Sequence, residues 1–416
     1  MSDRTLTSVQ ETPRCGGEEK LSWRDWVLLP VIGALTVCLL SGATECIARR
    51  AFSTGIGSLT PCEELPDYSK GARTAPNTVC WGKLAEGQLT EYRFNSCGDR
   101  AGMECGPKPR DAYRIVLVGY SMALGRYVAR EDTFAALLPA ELSRLTGRHV
   151  EVYNEGMMWG YLNSVNMRFD DALAARPDMI LWALTPVDFK YPAFVPKETM
   201  RHVPDQADAL PDSAGKPGSI ARLWYRFKVA FSTGSISGFV RDHFNRTQAA
   251  FLLRHFLYMS QSLYVQSFLM GGEEAEFLRT APNAEWQEKL RQFDNDATDA
   301  AARSRAAGVP FAIVLVPNRA QAAMISMDKW PVGYDPYKLD GELRSSVASH
   351  GGIYIDILPD FRDLPNPEQH YFPVDGHPDA VGHAIIAGFL AKELTSGEVP
   401  SLANSAPHQI TQKQVR

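Results

Sequence analysis

Five short apolar runs rich in β-branched residues constrain the fold of this chain more than any other feature. They are Tyr113–Gly119 (YRIVLVG), Val150–Tyr153, Asp178–Leu184 (DMILWAL), Phe311–Val316 (FAIVLV) and Gly352–Ile357 (GIYIDI). Each is bounded by polar residues and has the length of a buried strand rather than a helix. Between them lie stretches of helical periodicity, Thr133–Leu145 (stopping at Gly147), Asn163–Ala175 and Glu285–Ala307, and a final one follows the last run, from about Pro378 to Glu393. Buried strands joined by helices predict a parallel, doubly wound α/β sheet. In such a sheet ligands sit outside the carboxyl ends of the strands. The loops that follow the strands are therefore where chemistry is expected.

The first strand ends in Gly119-Tyr120-Ser121, and Met122, Ala123 and Leu124 open the next helix. A serine there commonly serves as an N-cap. Its backbone N–H also lies at the positive end of the helix dipole, where an oxyanion can be held. The second strand runs into Asn154-Glu155-Gly156, followed by Gly160, where glycine lets backbone N–H groups approach a ligand. The third ends in Thr185-Pro186-Val187-Asp188, and the last leads to Asp375-Gly376-His377-Pro378. Histidine is the natural general base for a serine, and a carboxylate close in the chain can orient it. Ser121 after the first strand, with Asp375 and His377 after the last, completes a nucleophile, base and orienter set. Asp379 is an alternative orienter and His383 an alternative base. Their expected jobs are the first turn of the last helix and helix packing.

The order of these blocks resembles that of the SGNH (GDSL-type) hydrolases. The family has Gly-Asp-Ser after the first strand, a glycine after the second, Gly-x-Asn-Asp after the third and Asp-x-x-His-Pro near the C-terminus. Here Gly119-Tyr120-Ser121, Gly156 or Gly160, Thr185-Pro186-Val187-Asp188 and Asp375-Gly376-His377-Pro378 stand in those places, over residues 113–190 and 305–393. Three departures are visible. Tyr120 replaces the Asp before the nucleophile, Val187 replaces the Asn that supplies a side-chain oxyanion donor, and the Asp–His spacing is one residue short. The short spacing also occurs among the family's envelope polysaccharide O-acetyltransferases.

The resemblance implies a three-layer α/β/α, flavodoxin-like fold with a parallel five-stranded sheet. It implies a serine ester hydrolase working through a serine acyl-enzyme, with Ser121, His377 and Asp375 catalytic. Ser121, Gly156, Gly160 and Thr185 are the oxyanion-hole candidates, and no metal or cofactor is expected. The expected ligand is an ester-bearing small molecule, a lipid or an acylated glycan. The alternatives are acyl transfer to an envelope polysaccharide and a non-catalytic domain that binds a glycan or a partner. A zinc hydrolase is disfavoured because the nine histidines include no HExxH. An α/β-hydrolase is disfavoured because Ala123 stands where G-x-S-x-G needs its last glycine.

Outside these blocks, Trp26–Ala43 is free of charge, bracketed by Arg24 and Asp25 on one side and Glu45, Arg49 and Arg50 on the other. Its length is at the lower edge for a spanning helix, and Trp23 and Trp26 sit where interfacial anchors would. Arg14, Lys20 and Arg24 against Arg49 and Arg50 favour a cytoplasmic N-terminus and an extracytoplasmic catalytic domain, periplasmic or at the cell surface. Cleavage after Ser41-Gly42-Ala43 is the competing reading, but the leader before the apolar run is long for a signal peptide. Beyond the anchor, Cys62, Cys80, Cys97 and Cys105 fall in a loop-like, Pro- and Gly-rich stretch and predict two disulfides of open connectivity. A net charge of −5 and the absence of a basic stripe argue against nucleic-acid binding.

The expected organisation is a polar tail (1–22), an anchor (23–47), a cysteine-bearing segment (48–110), a hydrolase-like domain (111–395) and a disordered tail (396–416). The domain carries a helical insertion at 190–300, on the active-site side of the sheet. Between Thr247 and Met270 the insertion carries Phe251, Leu252, Leu253, Phe256, Leu257, Tyr258, Leu263, Tyr264, Val265, Phe268 and Leu269, interrupted by Arg254 and His255. That stretch is either core or a helix leaning on a membrane above Ser121.

Overall fold

In a computed structural model the chain is described at residues 23–51, 62–67, 71–158, 160–190 and 247–403. The expectations for 1–22, for 191–246 of the insertion and for 404–416 of the C-terminal tail lie outside them. Helix α1 (Trp23–Ala51) contains the window Trp26–Arg50, which is long and apolar enough to cross a membrane. The cysteine-bearing segment is less loop-like than its composition suggests. Strands β1 (Glu63–Asp67) and β2 (Gly71–Thr74) form one antiparallel hairpin, and β3 (Val79–Lys83) and β4 (Leu89–Arg93) form a second. Alternating burial along β3 and β4 puts Cys80, Thr90 and Tyr92 on the inner face, which is how a one-sided hairpin folds from so polar a sequence.

Two disulfides close this segment, Cys62–Cys80 and Cys97–Cys105. The first closes a loop of 18 residues, worth about 3 kcal/mol by chain entropy. We expect protein made in an oxidising compartment to yield these two linked peptide pairs by mass spectrometry, and Cys38 and Cys46 to alkylate without reduction. Free thiols at all four positions, or crossed pairs, would contradict the arrangement.

The sheet-bearing part follows in order: β5 (Ala112–Gly119), α2 (Ser121–Leu124), α3 (Phe134–Thr146), β6 (His149–Asn154), α4 (Ser164–Met167), α5 (Phe169–Ala174) and β7 (Met179–Leu184). After the gap come α6 (Gln248–Tyr258), α7 (Gln261–Leu269), α8 (Ala284–Ala307), β8 (Phe311–Leu315), α9 (Arg319–Ile325), α10 (Lys338–Ser349), β9 (Ile353–Ile355), α11 (Leu358–Arg362) and α12 (Ala380–Leu394). The five strands β5 to β9 form one parallel sheet in the order β6-β5-β7-β8-β9. Numbered within the sheet, that is 2-1-3-4-5, the flavodoxin-like order. Every residue of β5, β7 and β8 is buried, because helices cover both faces. Helices α3 and α12 pack together on one side, and α4, α5, α8 and α10 on the other. This is the three-layer α/β/α fold expected from the sequence.

Some details differ from the sequence expectation. The helix read across Asn163–Ala175 breaks at Arg168 into α4 and α5. The chain after Gly397 does not leave the domain at once. Val399 and Leu402 are buried, and the Tyr113 hydroxyl lies 2.7 Å from Ser401 Oγ.

Candidate active site

Strand β5 is flanked by the second and third strands of the sheet, so its carboxyl end is the topological switch point where a crevice opens. Gly119 closes the strand at φ +150°, and a Cβ there would meet the Ala183 carbonyl oxygen at 2.5 Å. Only glycine allows the chain to turn so close to β7. The turn delivers Ser121 as the first residue of α2. Its Oγ lies 2.8 Å from His377 Nε2, and His377 Nδ1 lies 2.5 Å from Asp375 Oδ1. Residues more than 250 positions apart therefore form one relay.

The loop holding Asp375 and His377 explains the short spacing between them. Phe372 N–H donates to the His377 carbonyl and Gly376 N–H to the Phe372 carbonyl, both at 2.9 Å, and Gly376 takes φ +86°. This tight turn curls the Asp375 side chain back onto the ring of a residue only two positions on. Burial pushes the Asp375 carboxyl up. Hydrogen bonds from His377 and the charges of His377 and Arg126 more than offset it and hold the group below the usual carboxylate range. Asp375 thus stays ionised beside the imidazole.

Asp379 and His383 do the structural jobs expected of them. Asp379 caps α12 by accepting the Gly382 N–H at 2.8 Å. His383 is fully buried between α12 and α3, accepts the Phe134 N–H at 3.3 Å, and is pushed by burial down to about 3. It stays neutral at physiological pH.

The four oxyanion candidates separate. Gly156 N–H is already given to Asn154 Oδ1 at 2.9 Å. Thr185 donates both its N–H (2.7 Å) and its hydroxyl (3.0 Å) to Asp188. Asp188 is buried and is raised by burial to about 7 against the pull of those two bonds. The roles expected for Gly156 and Thr185 are therefore taken up by local bracing. The N–H groups of Ser121 and Gly160, by contrast, have no acceptor among the described residues. Val187, at the position where the family carries Asn, is half exposed and lines a cavity beside Asp375.

Tyr120, the residue before Ser121, is buried and hydrogen-bonds through its hydroxyl to the Tyr161 carbonyl. A Cβ on Gly160 would sit 2.2 Å from the Tyr120 ring, so the glycine is required by this packing. The tyrosine thus ties the Gly160 loop to the turn at Ser121, a job an aspartate could not do by packing.

Three supports escaped the sequence reading. Glu86, in the turn between β3 and β4, has a side chain only 2% exposed. It accepts the N–H groups of Val374 (2.9 Å) and Asp375 (3.1 Å) and lies 2.8 Å from His255 Nδ1 on α6. Tyr92 on β4 accepts the Tyr127 N–H at 2.5 Å, and the Tyr127 ring meets the His377 ring edge-on at 5.7 Å. Arg100 donates to the carbonyls of Leu124, Gly125 and Val128, clamping the loop after α2. The disulfide-bearing segment is thus a brace for the relay rather than a spacer. No sequence signal marks these residues, since each acts across a long stretch of chain.

Beside the relay lies a cavity of about 630 Å³, lined among others by Val187, Arg254, Tyr258, Trp286, Asp375 and Gly376. Its size suits a small organic ligand. No known family's sequence model matches the chain, and no curated protein matches it. Among solved structures, the chain is similar to a mutant of Axe2, an acetyl-xylooligosaccharide esterase from Geobacillus Stearmophilus. That likeness has 11% identity and a TM-score of 0.35, over 68% of this chain and 94% of the other. It is also similar to the psychrotrophic esterase EstA from Pseudoalteromonas (9%, 0.33, 68% and 96%) and to a lipase/acylhydrolase from Enterococcus faecalis (10%, 0.31, 68% and 94%).

Proposed function

We propose that this chain is a membrane-anchored, extracytoplasmic serine ester hydrolase of the SGNH type. The observation that carries the reading is the Ser121–His377–Asp375 relay, assembled at the switch point of a 2-1-3-4-5 sheet. Ser121 Oγ attacks the ester carbonyl while His377 Nε2 takes its proton. Asp375, held ionised, stabilises the imidazolium. The oxyanion that forms is met by the N–H groups of Ser121 and Gly160, the two candidates not engaged elsewhere. His377 then protonates the leaving alkoxide, leaving Ser121 acylated. Water, deprotonated by the same histidine, attacks the acyl-enzyme and releases the acid. Helix α1 and the two disulfides support the anchored location in an oxidising compartment.

The test is covalent trapping. Full-length protein in detergent, treated with a fluorophosphonate, should gain one adduct, mapped by peptide mass spectrometry to Ser121. An adduct on a different serine, or none, overturns the assignment.

A further inference from the structure

The end of α1 and the start of α6 are packed together. Glu45 accepts the Ala249 N–H at 2.9 Å, and Ala48 and Ala250 are buried. A helix rises 1.5 Å per residue, so about 20 residues cross a hydrocarbon core of about 30 Å. Counted from Trp26, that crossing ends near Glu45. The contact with α6 therefore falls where α1 emerges among the lipid headgroups.

Helix α6 carries an apolar face that nothing in the described protein covers. Leu253, Phe256 and Leu257, three and four residues apart on one face, are 50%, 63% and 42% exposed, and Met259 follows at 63%. The residues between them turn the other way. Arg254 and Tyr258 line the cavity that reaches Asp375 and Gly376, and His255 meets Glu86, which holds the Asp375 backbone.

We infer that α6 lies in the interfacial layer of the same bilayer that α1 spans, with Leu253, Phe256, Leu257 and Met259 immersed, so that the cavity beside the relay is fed from the membrane surface. The substrate class is then an ester carried by an amphiphile whose apolar part stays among the lipid chains. Continuity with α1 decides for lipid over a protein partner. A face anchored at headgroup depth meets lipid before it meets anything in solution. This rests on the anchor and serine readings above, and the experiment keeps them apart.

The test uses the full chain in phosphatidylcholine–phosphatidylglycerol vesicles, with Cys15, Cys38 and Cys46 each changed to Ser. A single environment-sensitive fluorophore is attached through Phe256→Cys or, as reference, through Val332→Cys, whose native side chain is fully exposed. Emission from position 256 should be blue-shifted and quenched by brominated phospholipid, with neither effect at position 332. A blue shift without lipid quenching means that a second copy or another protein covers the face, and it overturns the inference. Equal emission at both positions also overturns it.

In a second arm, Phe256→Ser with Met259→Ser should raise KM for a vesicle-borne ester at least about tenfold, since each apolar side chain withdrawn from lipid costs a sizeable part of the binding energy. Turnover of a short soluble ester should not change. An unchanged KM on vesicles sinks the membrane-fed route. Fluorophosphonate labelling reports on the serine reading alone, and the fluorescence arm, which needs no turnover, decides the membrane reading whatever the labelling shows.

Discussion

Ser121→Ala should reduce ester turnover to near the uncatalysed background, a loss on the order of 10⁶ in kcat where the triad acts as a unit. The size of the effect follows from the geometry. Ser121 Oγ is the atom 2.8 Å from His377 Nε2, the one hydroxyl recorded on that nitrogen among the described residues. The variant should still fold. The Ser121 side chain makes no described hydrogen bond beyond the one to His377, and α2 is fixed by Arg100 and Asn154 through the carbonyls of Leu124 and Ala123. Thermal unfolding should therefore shift by no more than a few degrees while turnover disappears. Retained turnover in a folded variant would remove Ser121 from the reaction.

Asp375→Asn should lower kcat by roughly 10⁴ while leaving the fold intact. The carboxylate is held ionised beside His377, and a neutral amide cannot stabilise the imidazolium that forms when Ser121 gives up its proton. The loop itself should persist, because Glu86 holds the backbone N–H groups of residues 374 and 375 whatever the side chain at 375. Asp379→Asn is the matched control. Asparagine caps a helix about as well as aspartate, so this variant should keep nearly full turnover. Steady-state kinetics on the pair decide the assignment. If Asp379→Asn proved the damaging change, the orienting carboxylate would be the wrong one.

Much of the scaffold was legible from residue pattern alone. Short apolar runs such as Asp178–Leu184 and Phe311–Val316 announce strands because a strand covered on both faces must be apolar throughout, and a buried strand is only five to eight residues long. The turn before Ser121 and the Asp375–His377 turn were legible for the same local reason. Glycines at 119 and 376 sit where the backbone takes a conformation that side chains resist. Helix caps at Thr133 and Asp379 are likewise settled within three or four residues.

The aromatic stretch at Thr247–Met270 divided instead of choosing. Tyr264 and Val265 joined the core, while Phe256 and Met259 stayed outside it. Periodicity can show that a helix has apolar faces. It cannot show which of them finds a partner. The disulfide pairing was beyond the sequence because any two of the four cysteines could meet once the chain bends, and only the folding of the two hairpins separates Cys62–Cys80 from Cys97–Cys105.

Sequence by itself therefore determined the sheet, its strand-end loops and the three residue types that meet there. Each depends on a few consecutive residues and the backbone they prefer. Tertiary structure alone decided which hydrogen-bond donors remain available. Thr185 and Gly156 looked suitable until their N–H groups were found given to Asp188 and Asn154, whereas those of Ser121 and Gly160 were not. It also decided that Glu86 and Tyr92 brace a cluster whose histidine, His377, lies nearly 300 residues further along the chain. Such choices are competitions for hydrogen bonds and buried space among distant segments, and they exist only once the chain has closed around them.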